Sequence, residues 1–210
     1  TMGIREGYVA AAADRFLIKI TGKGCHGAHP DTGIDPIPAA AAMVQAFQTV
    51  VTRNSDAFHP TLISVTRIEA GNTWNVVPET AELEGTVRTM NREDRVLFER
   101  RLREITEMTA KAYGASAEFQ WYPGSPAVVN DPAMAGAAEE TAKKQSLLTV
   151  PEESSMGGDD FSFYEEKRPG CYIKIGTGVG EAIHQPGFKV DPEILLPAAE
   201  YLMALFMENE

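Results

Sequence analysis

Ala115-Ser116-Ala117-Glu118-Phe119-Gln120-Trp121 alternates apolar and polar residues without a break. A two-residue period puts Ala115, Ala117, Phe119 and Trp121 on one face of a strand and Ser116, Glu118 and Gln120 on the other. A strand with one apolar face belongs in an antiparallel sheet that covers a core on one side only. Gly114, just before it, is a natural helix stop. The preceding segment carries Phe98, Leu102, Ile105, Thr109 and Ala112 as a helical stripe, with Asn91 as N-cap and Asp94 in the first turn. Before that helix, residues 80–90 alternate again, with Ala81, Leu83, Gly85 and Val87 opposite Glu82, Glu84, Thr86 and Arg88.

Further toward the N-terminus, residues 62–68 are rich in β-branched side chains and read as a strand. Asp35 can cap a helix with Pro36 and Pro38 in its first turn and Ala40, Val44, Phe47 and Val51 on its inner face. Residues 15–21 form another alternating strand, Phe16, Ile18 and Ile20 against Leu17, Lys19 and Thr21, whereas residues 1–7 show neither period. The order strand-helix-strand-strand-helix-strand is the split βαβ pattern. Its economical solution is one four-stranded antiparallel sheet with both helices on a single face.

Tyr122-Pro123-Gly124-Ser125-Pro126 marks a boundary. Beyond it, Asp131-Pro132 caps an alanine-rich helix, residues 147–150 and 171–175 read as short strands, and residues 176–180 as a loose loop. Residues 192–207 form a helix whose apolar arc (Ile194, Ala198, Tyr201, Leu202, Leu205, Phe206) is wide enough to be packed into a core. The expected fold class is α/β. An α+β unit over residues 13–124 is flanked by residues 1–12 and 125–210, which read as parts of a second unit.

At 210 residues, with 43% hydrophobic and 23% charged, the composition is that of an ordinary globular protein. The net charge of −11 repels a phosphate backbone and argues against nucleic-acid binding. Apolar runs fall short of the roughly 20 residues of a membrane span. Two distant cysteines, Cys25 and Cys171, point to free thiols and a cytoplasmic setting.

The chemistry-bearing stretch is Gly22-Lys23-Gly24-Cys25-His26-Gly27-Ala28-His29-Pro30, a glycine-rich turn holding two of the four histidines. Its glycines permit close backbone approach, and its histidines suit proton transfer or metal binding. Cys25 and His26 point to opposite faces of an extended backbone, which disfavours a thiol–imidazole nucleophile. His26, His29 and His184 are possible metal ligands, but no HxxxH, HxxE or CxxC spacing accompanies them. Read by themselves, Arg88 would form a surface ion pair with Glu82 or Glu84, and Asn75 would serve as a turn former.

Gly24-Cys25-His26-Gly27-Ala28-His29-Pro30 with Asp35-Pro36 resembles the entry to the lid domain of the aminoacylase/carboxypeptidase-like metallopeptidases, in their N-acyl-amino-acid (hippurate-type) amidohydrolase branch. Asn75-Val76-Val77-Pro78, Gly85-Thr86-Val87-Arg88, Met156-Gly157-Gly158-Asp159-Asp160-Phe161 and His184-Gln185-Pro186-Gly187-Phe188 resemble further motifs of that family, in its order. Asp159 stands where the family usually has Glu.

The resemblance implies a lid inserted in a larger α/β catalytic domain that holds two divalent metal ions, zinc or else manganese or cobalt. It implies His184 as a metal ligand and His26 as oxyanion stabiliser, reaching a partner subunit's site. Asn75, Gly157 and Gly158 would contact substrate, and Arg88 would bind its carboxylate. The implied substrate is an N-acyl amino acid or short peptide, and the implied assembly a homodimer through the lid. In the family, the other metal ligands and the general-base glutamate precede the lid, and none of them occurs in these 210 residues. The expectation is a C-terminal portion of such an amidohydrolase, inactive without the missing N-terminal catalytic segment. The alternative is a non-catalytic dimerisation or carboxylate-binding module.

Overall fold

In the computed structural model, which describes residues 1–178, 180, 181 and 183–208, alternation along the sequence becomes a sheet. In chain order the strands are β1 (Met2–Ile4), β2 (Gly7–Ala10), β3 (Ala12–Thr21), β4 (Cys25–His26), β5 (Thr61–Ala70) and β6 (Val76–Val77). They continue with β7 (Thr80–Thr89), β8 (Ser116–Tyr122), β9 (Val128–Asn130), β10 (Thr149–Pro151) and β11 (Lys174–Ile175). The α-helices are α1 (Pro36–Arg53), α2 (Arg92–Ala112), α3 (Pro132–Lys144), the single turn α4 (Ser162–Glu165) and α5 (Leu195–Glu208). The chain forms two units: Ala10–Ala127 with Met156–Asp159, and Thr1–Val9 with Val128–Ser155 and Asp160–Glu210. The segment Met156–Asp159 thus belongs with the four-stranded sheet, tied there by the Ala11 N–H, which donates to the Gly157 carbonyl at 2.9 Å.

The four-stranded sheet has the order β5-β7-β3-β8 and is antiparallel throughout. Phe16, Ile18, Ile20, Leu83 and Val87 are fully buried against Ala39, Met43, Phe47 and Val50 of α1 and Phe98 and Leu102 of α2. Both helices therefore cover one face, as the split βαβ order implies, and polar residues of β3 and β7 face away. Gly85 is in the middle of β7 for a packing reason. A Cβ there would lie 2.4 Å from Phe16 Cζ and 2.2 Å from the Ser64 carbonyl oxygen, so only glycine leaves room for the ring. That ring meets Phe47 edge-on at 5.9 Å.

The caps follow the sequence. Asp35 accepts from the Ile37 N–H, Asn91 from the Asp94 N–H, and Asp131 from the Ala133 and Met134 N–H groups. Gly114, at φ +75°, ends α2. The inner stripe of α2 differs in its second half: Thr106 and Ala110 are buried after Phe98 and Leu102, while Thr109 is half-buried and Ala112 exposed. The stripe keeps an i, i+4 step, the ridge that packs into a neighbouring helix groove.

In the second unit, β1 is the central strand of a mixed sheet, parallel to β10 and antiparallel to β11. Residues 1–7 showed no period because Met2, Gly3 and Ile4 are all buried, and a strand covered on both faces has no polar alternation. Met2, Ile4, Ala135, Ala138, Ala142 and Tyr201 form its core. The strand expected over residues 171–175 is regular only at Lys174–Ile175. Val179, in the loop expected over residues 176–180, lies outside the described residues. The wide buried arc expected for the last helix is corrected. Tyr201 is the buried residue of α5, whereas Leu195, Leu196, Leu202, Met203, Phe206 and Met207 are 53–68% exposed. No helix among the described residues is long and apolar enough to cross a membrane.

Candidate functional site

Two small ladders build the glycine–histidine turn. Lys23 bridges Ile34, and β4 pairs with β6 so that Cys25 faces Val77 and His26 faces Val76. The Gly27 N–H then donates to the Asn75 carbonyl at 2.8 Å. Residues some fifty positions apart in sequence thereby become neighbours, and the site residues His26 and Asn75 come together. Close approach explains the glycines: a Cβ on Gly22 would sit 2.1 Å from the Ile34 oxygen, and one on Gly33 2.5 Å from Cys25 Sγ. Cys25 is thus turned into the fold of the loop, away from the exposed His26.

His26 Nδ1 accepts a hydrogen bond from the Ala28 N–H at 3.1 Å. In the neutral ring that partner leaves the proton on Nε2, so the exposed end of the imidazole is an N–H donor. A donor in this position suits a developing oxyanion. His29 is its neighbour, with ring centroids 5.7 Å apart, and is itself exposed. Asn75 is half-buried and its Oδ1 accepts from the Thr73 hydroxyl at 3.3 Å.

Arg88 lies toward the other end of β7, half-buried on the sheet face away from the helices. Its cross-strand neighbour is Ala13, and Gly158 packs against that alanine: a Cβ on Gly158 would be 2.9 Å from Ala13 Cβ and 3.0 Å from Ser125 Oγ. Ala13 is therefore a common neighbour of Arg88 and Gly158. Neither carboxylate proposed as an ion-pair partner for Arg88 is used that way. Glu84 is held by Arg15 at 2.6 Å and by Arg67 at 3.3 Å, and Glu82 by Arg67 at 3.2 Å. Among the described residues Arg88 has no acidic partner, and its Nε donates to the Thr86 hydroxyl at 3.1 Å.

The His26–Asn75 pair adjoins the Thr21–Thr80 end of the sheet, where the Gly22 N–H donates to the Glu79 carbonyl at 2.8 Å. From Thr80 to Arg88 the chain advances eight residues along β7, about 27 Å at the rise of an antiparallel strand. Within one copy these two places stand apart.

His184 belongs to the other unit, exposed on a loop and at φ +68°, a backbone region uncommon for a non-glycine residue. Among the described residues no group of three or more His, Cys, Asp or Glu side chains could hold a metal ion. One histidine is short of the roughly three protein ligands of a catalytic zinc. The described residues thus do not make up a two-metal centre by themselves. At Cys171, burial, reinforced by Glu165, Asp131 and Glu139, pushes the thiol up to about 11, which disfavours a free thiolate there.

Two features carry little signal in the sequence: Thr86, inside the Gly85–Arg88 motif, and the ion pair behind it. Asp14, 1% exposed, accepts from Arg95 Nε at 2.8 Å, Arg95 Nη2 at 2.6 Å and the Gly124 N–H at 3.0 Å. A charged residue inside an otherwise apolar alternation (Ala12, Asp14, Phe16) was the available signal.

Comparison with known proteins places the chain in a family. An N-acetylcysteine deacetylase of Bacillus subtilis is 43% identical over 205 residues, covering 98% of this chain and 54% of that protein. An N-acetyl-L-cysteine deacetylase of the same organism is 37% identical over 202 residues, covering 96% and 49%. The crystal structure of the YXEP protein of Bacillus subtilis, described as a dinuclear metal-binding peptidase of the M20 family, superposes with a TM-score of 0.81 at 40% identity, over 97% of this chain and 51% of that one. The chain spans about half the length of the relatives it matches. The model of peptidase family M20/M25/M40 matches residues 25–208, and with these relatives it shows that the chain belongs to that family.

Proposed function

We propose that this chain supplies the substrate-recognition part of a metal-dependent amidohydrolase that cleaves the amide bond of N-acyl amino acids. The observation that carries the reading is Arg88: a half-buried arginine with no acidic partner among the described residues, sharing Ala13 as a neighbour with Gly158, while its neighbouring glutamates are engaged elsewhere. A guanidinium fork is the natural receptor for a carboxylate. The deacetylase relatives support an N-acyl amino acid as the ligand.

In this reading His26 donates from Nε2 to the oxyanion and Asn75 contacts the substrate. Because His26 and Arg88 of one copy lie at opposite ends of β7, they serve different substrates. Two copies paired antiparallel along the free β5 edge would bring the His26 end of each beside the Arg88 end of the other. His184 is one metal ligand, and the remaining ligands (for zinc, manganese or cobalt) and the general base come from outside these 210 residues. The exposed apolar face of α5 suits cover by that further α/β segment, and the extra length of the relatives leaves room for it. A cytoplasmic setting fits the two free thiols.

Titration of the 210-residue chain with N-acetyl-L-amino acids and their methyl esters tests this. Binding of the acids and not the esters, abolished in Arg88→Ala, is expected. Equal binding of acid and ester, or an unaffected Arg88→Ala variant, refutes it. Zinc-dependent release of amino acid by this chain alone would refute the claim that further ligands are needed. A second reading, a dimerisation or carboxylate-binding module without hydrolysis, draws on the same Arg88 and the free sheet edges. The coding sequence upstream of Thr1 separates the two: metal ligands and a Glu–Glu pair there favour the hydrolase, a start codon directly before Thr1 the module.

A further inference from the structure

Thr86 precedes Arg88 by two residues, so both side chains stand on the same face of β7. The Thr86 hydroxyl makes two hydrogen bonds at once. It donates to the Asp14 backbone oxygen across the β3–β7 ladder at 2.8 Å and accepts from Arg88 Nε at 3.1 Å. A hydroxyl that is donating becomes a better acceptor, so each bond strengthens the other. The anchor is itself held: Asp14 is buried, and its carboxylate is hydrogen-bonded by Arg95 and the Gly124 N–H. Contacts therefore run without a break from α2, through the start of β3, to the guanidinium of Arg88.

Among the described residues Arg88 has no other hydrogen bond or ion pair. Of its five N–H donors, the one on Nε is tied to Thr86 and the four on the terminal nitrogens are left as a planar pair. A long side chain free to rotate loses conformational entropy when it captures a ligand, and a tether at Nε removes part of that loss beforehand. The γ-methyl of threonine further restricts the rotamer that holds the hydroxyl in place.

The geometry points to Thr86 as a positioning residue: its hydroxyl, braced on the Asp14 carbonyl, holds Arg88 Nε so that the two terminal nitrogens meet a substrate carboxylate as a preformed fork. This rests on the carboxylate reading of Arg88 given above. Thr86→Val is close in shape and keeps a β-branched residue in the strand, so it removes the hydroxyl with little effect on the sheet. Thr86→Ser keeps the hydroxyl.

Proton–nitrogen correlation spectra of the ¹⁵N-labelled 210-residue chain read the proton in question directly, once the Arg88 Nε–H signal is identified by its loss in Arg88→Lys. In the wild type this proton is expected to exchange slowly with water and to shift on addition of N-acetylglycine, but not of its methyl ester. Thr86→Val is expected to speed the exchange and weaken N-acetylglycine binding, each roughly tenfold, as for the loss of one hydrogen bond to a charged group. Thr86→Ser is expected to restore both. Exchange in Thr86→Val equal to that of the wild type overturns the assignment, as does a serine variant no better than valine. If the exchange contrast holds while N-acetylglycine shifts nothing in the wild type, the hold of Thr86 on Arg88 is supported and the carboxylate reading of Arg88 fails by itself.

Discussion

Removing Arg95 is expected to damage the sheet unit more than removing its partner Asp14, and the reason lies in their unequal burial. The Asp14 side chain is 0% exposed and the Arg95 side chain 21%. Arg95→Met strands a carboxylate that has lost two of its three donors and keeps only the Gly124 N–H. Breaking a buried pair from one side costs ~3–5 kcal/mol, and the surviving N–H places this variant near ~3 kcal/mol. Asp14→Ala leaves a guanidinium that can still reach water and still donates to the Gly124 carbonyl (2.9 Å in the wild type), for a smaller cost of ~2 kcal/mol. The double variant carries no stranded charge and leaves only the Gly124 backbone groups without partners, again ~2 kcal/mol. The two single losses sum to ~5 kcal/mol, so the cycle should show a coupling of ~3 kcal/mol. Urea unfolding followed by tryptophan fluorescence suits the measurement, because both tryptophans, Trp74 and Trp121, belong to this unit. Trp121 packs partly buried against its core beside Phe119. Additive single losses, or an Arg95→Met cost under ~1 kcal/mol, would refute the assignment of this pair as a buried brace.

Gly85→Ala should destabilise the same unit by ~3 kcal/mol or more, since the added methyl meets both the Phe16 ring and the Ser64 carbonyl and neither can withdraw without disturbing the sheet. A companion Phe16→Leu that relieves part of the loss, read by the same urea midpoints, would confirm the cause, whereas an alanine variant as stable as the wild type would exclude it. At Cys171, a thiol titrating at about 11 instead of 9.0 holds about a hundredfold less thiolate at pH 8. Alkylation of the folded chain, mapped by peptide mass, should leave Cys171 nearly unmodified at pH 8 and rise steeply with pH, while urea removes the protection. Prompt labelling at pH 8 would contradict that burial.

The sheet unit was readable because its physics is local. Each strand buries one face, so Phe16, Ile18 and Ile20, or Ala81, Leu83 and Val87, announce themselves by alternation, and Asp35, Asn91 and Gly114 punctuate the helices with their own side chains or lack of one. The same rule fails for β1, where complete burial erases the alternation. It fails for α5 in the opposite sense, because an apolar arc reports which side chains avoid water and not which of them find a neighbour. Whether Glu82 and Glu84 pair with Arg88 was likewise undecidable from one strand. The answer came from Arg67 and Arg15 on the strands to either side.

The sequence by itself determined the α/β class, the split βαβ order, the helix caps and the family resemblance, since all of these reside in short-range patterns of residue type. Only the tertiary structure decided that Gly27 meets Asn75, that Gly158 lies against Ala13 beside Arg88, and that these two places stand a full strand's length apart. Such facts depend on strand register and on which backbones approach closely. Register is fixed by the packing of the whole sheet, and no single segment of the chain records it.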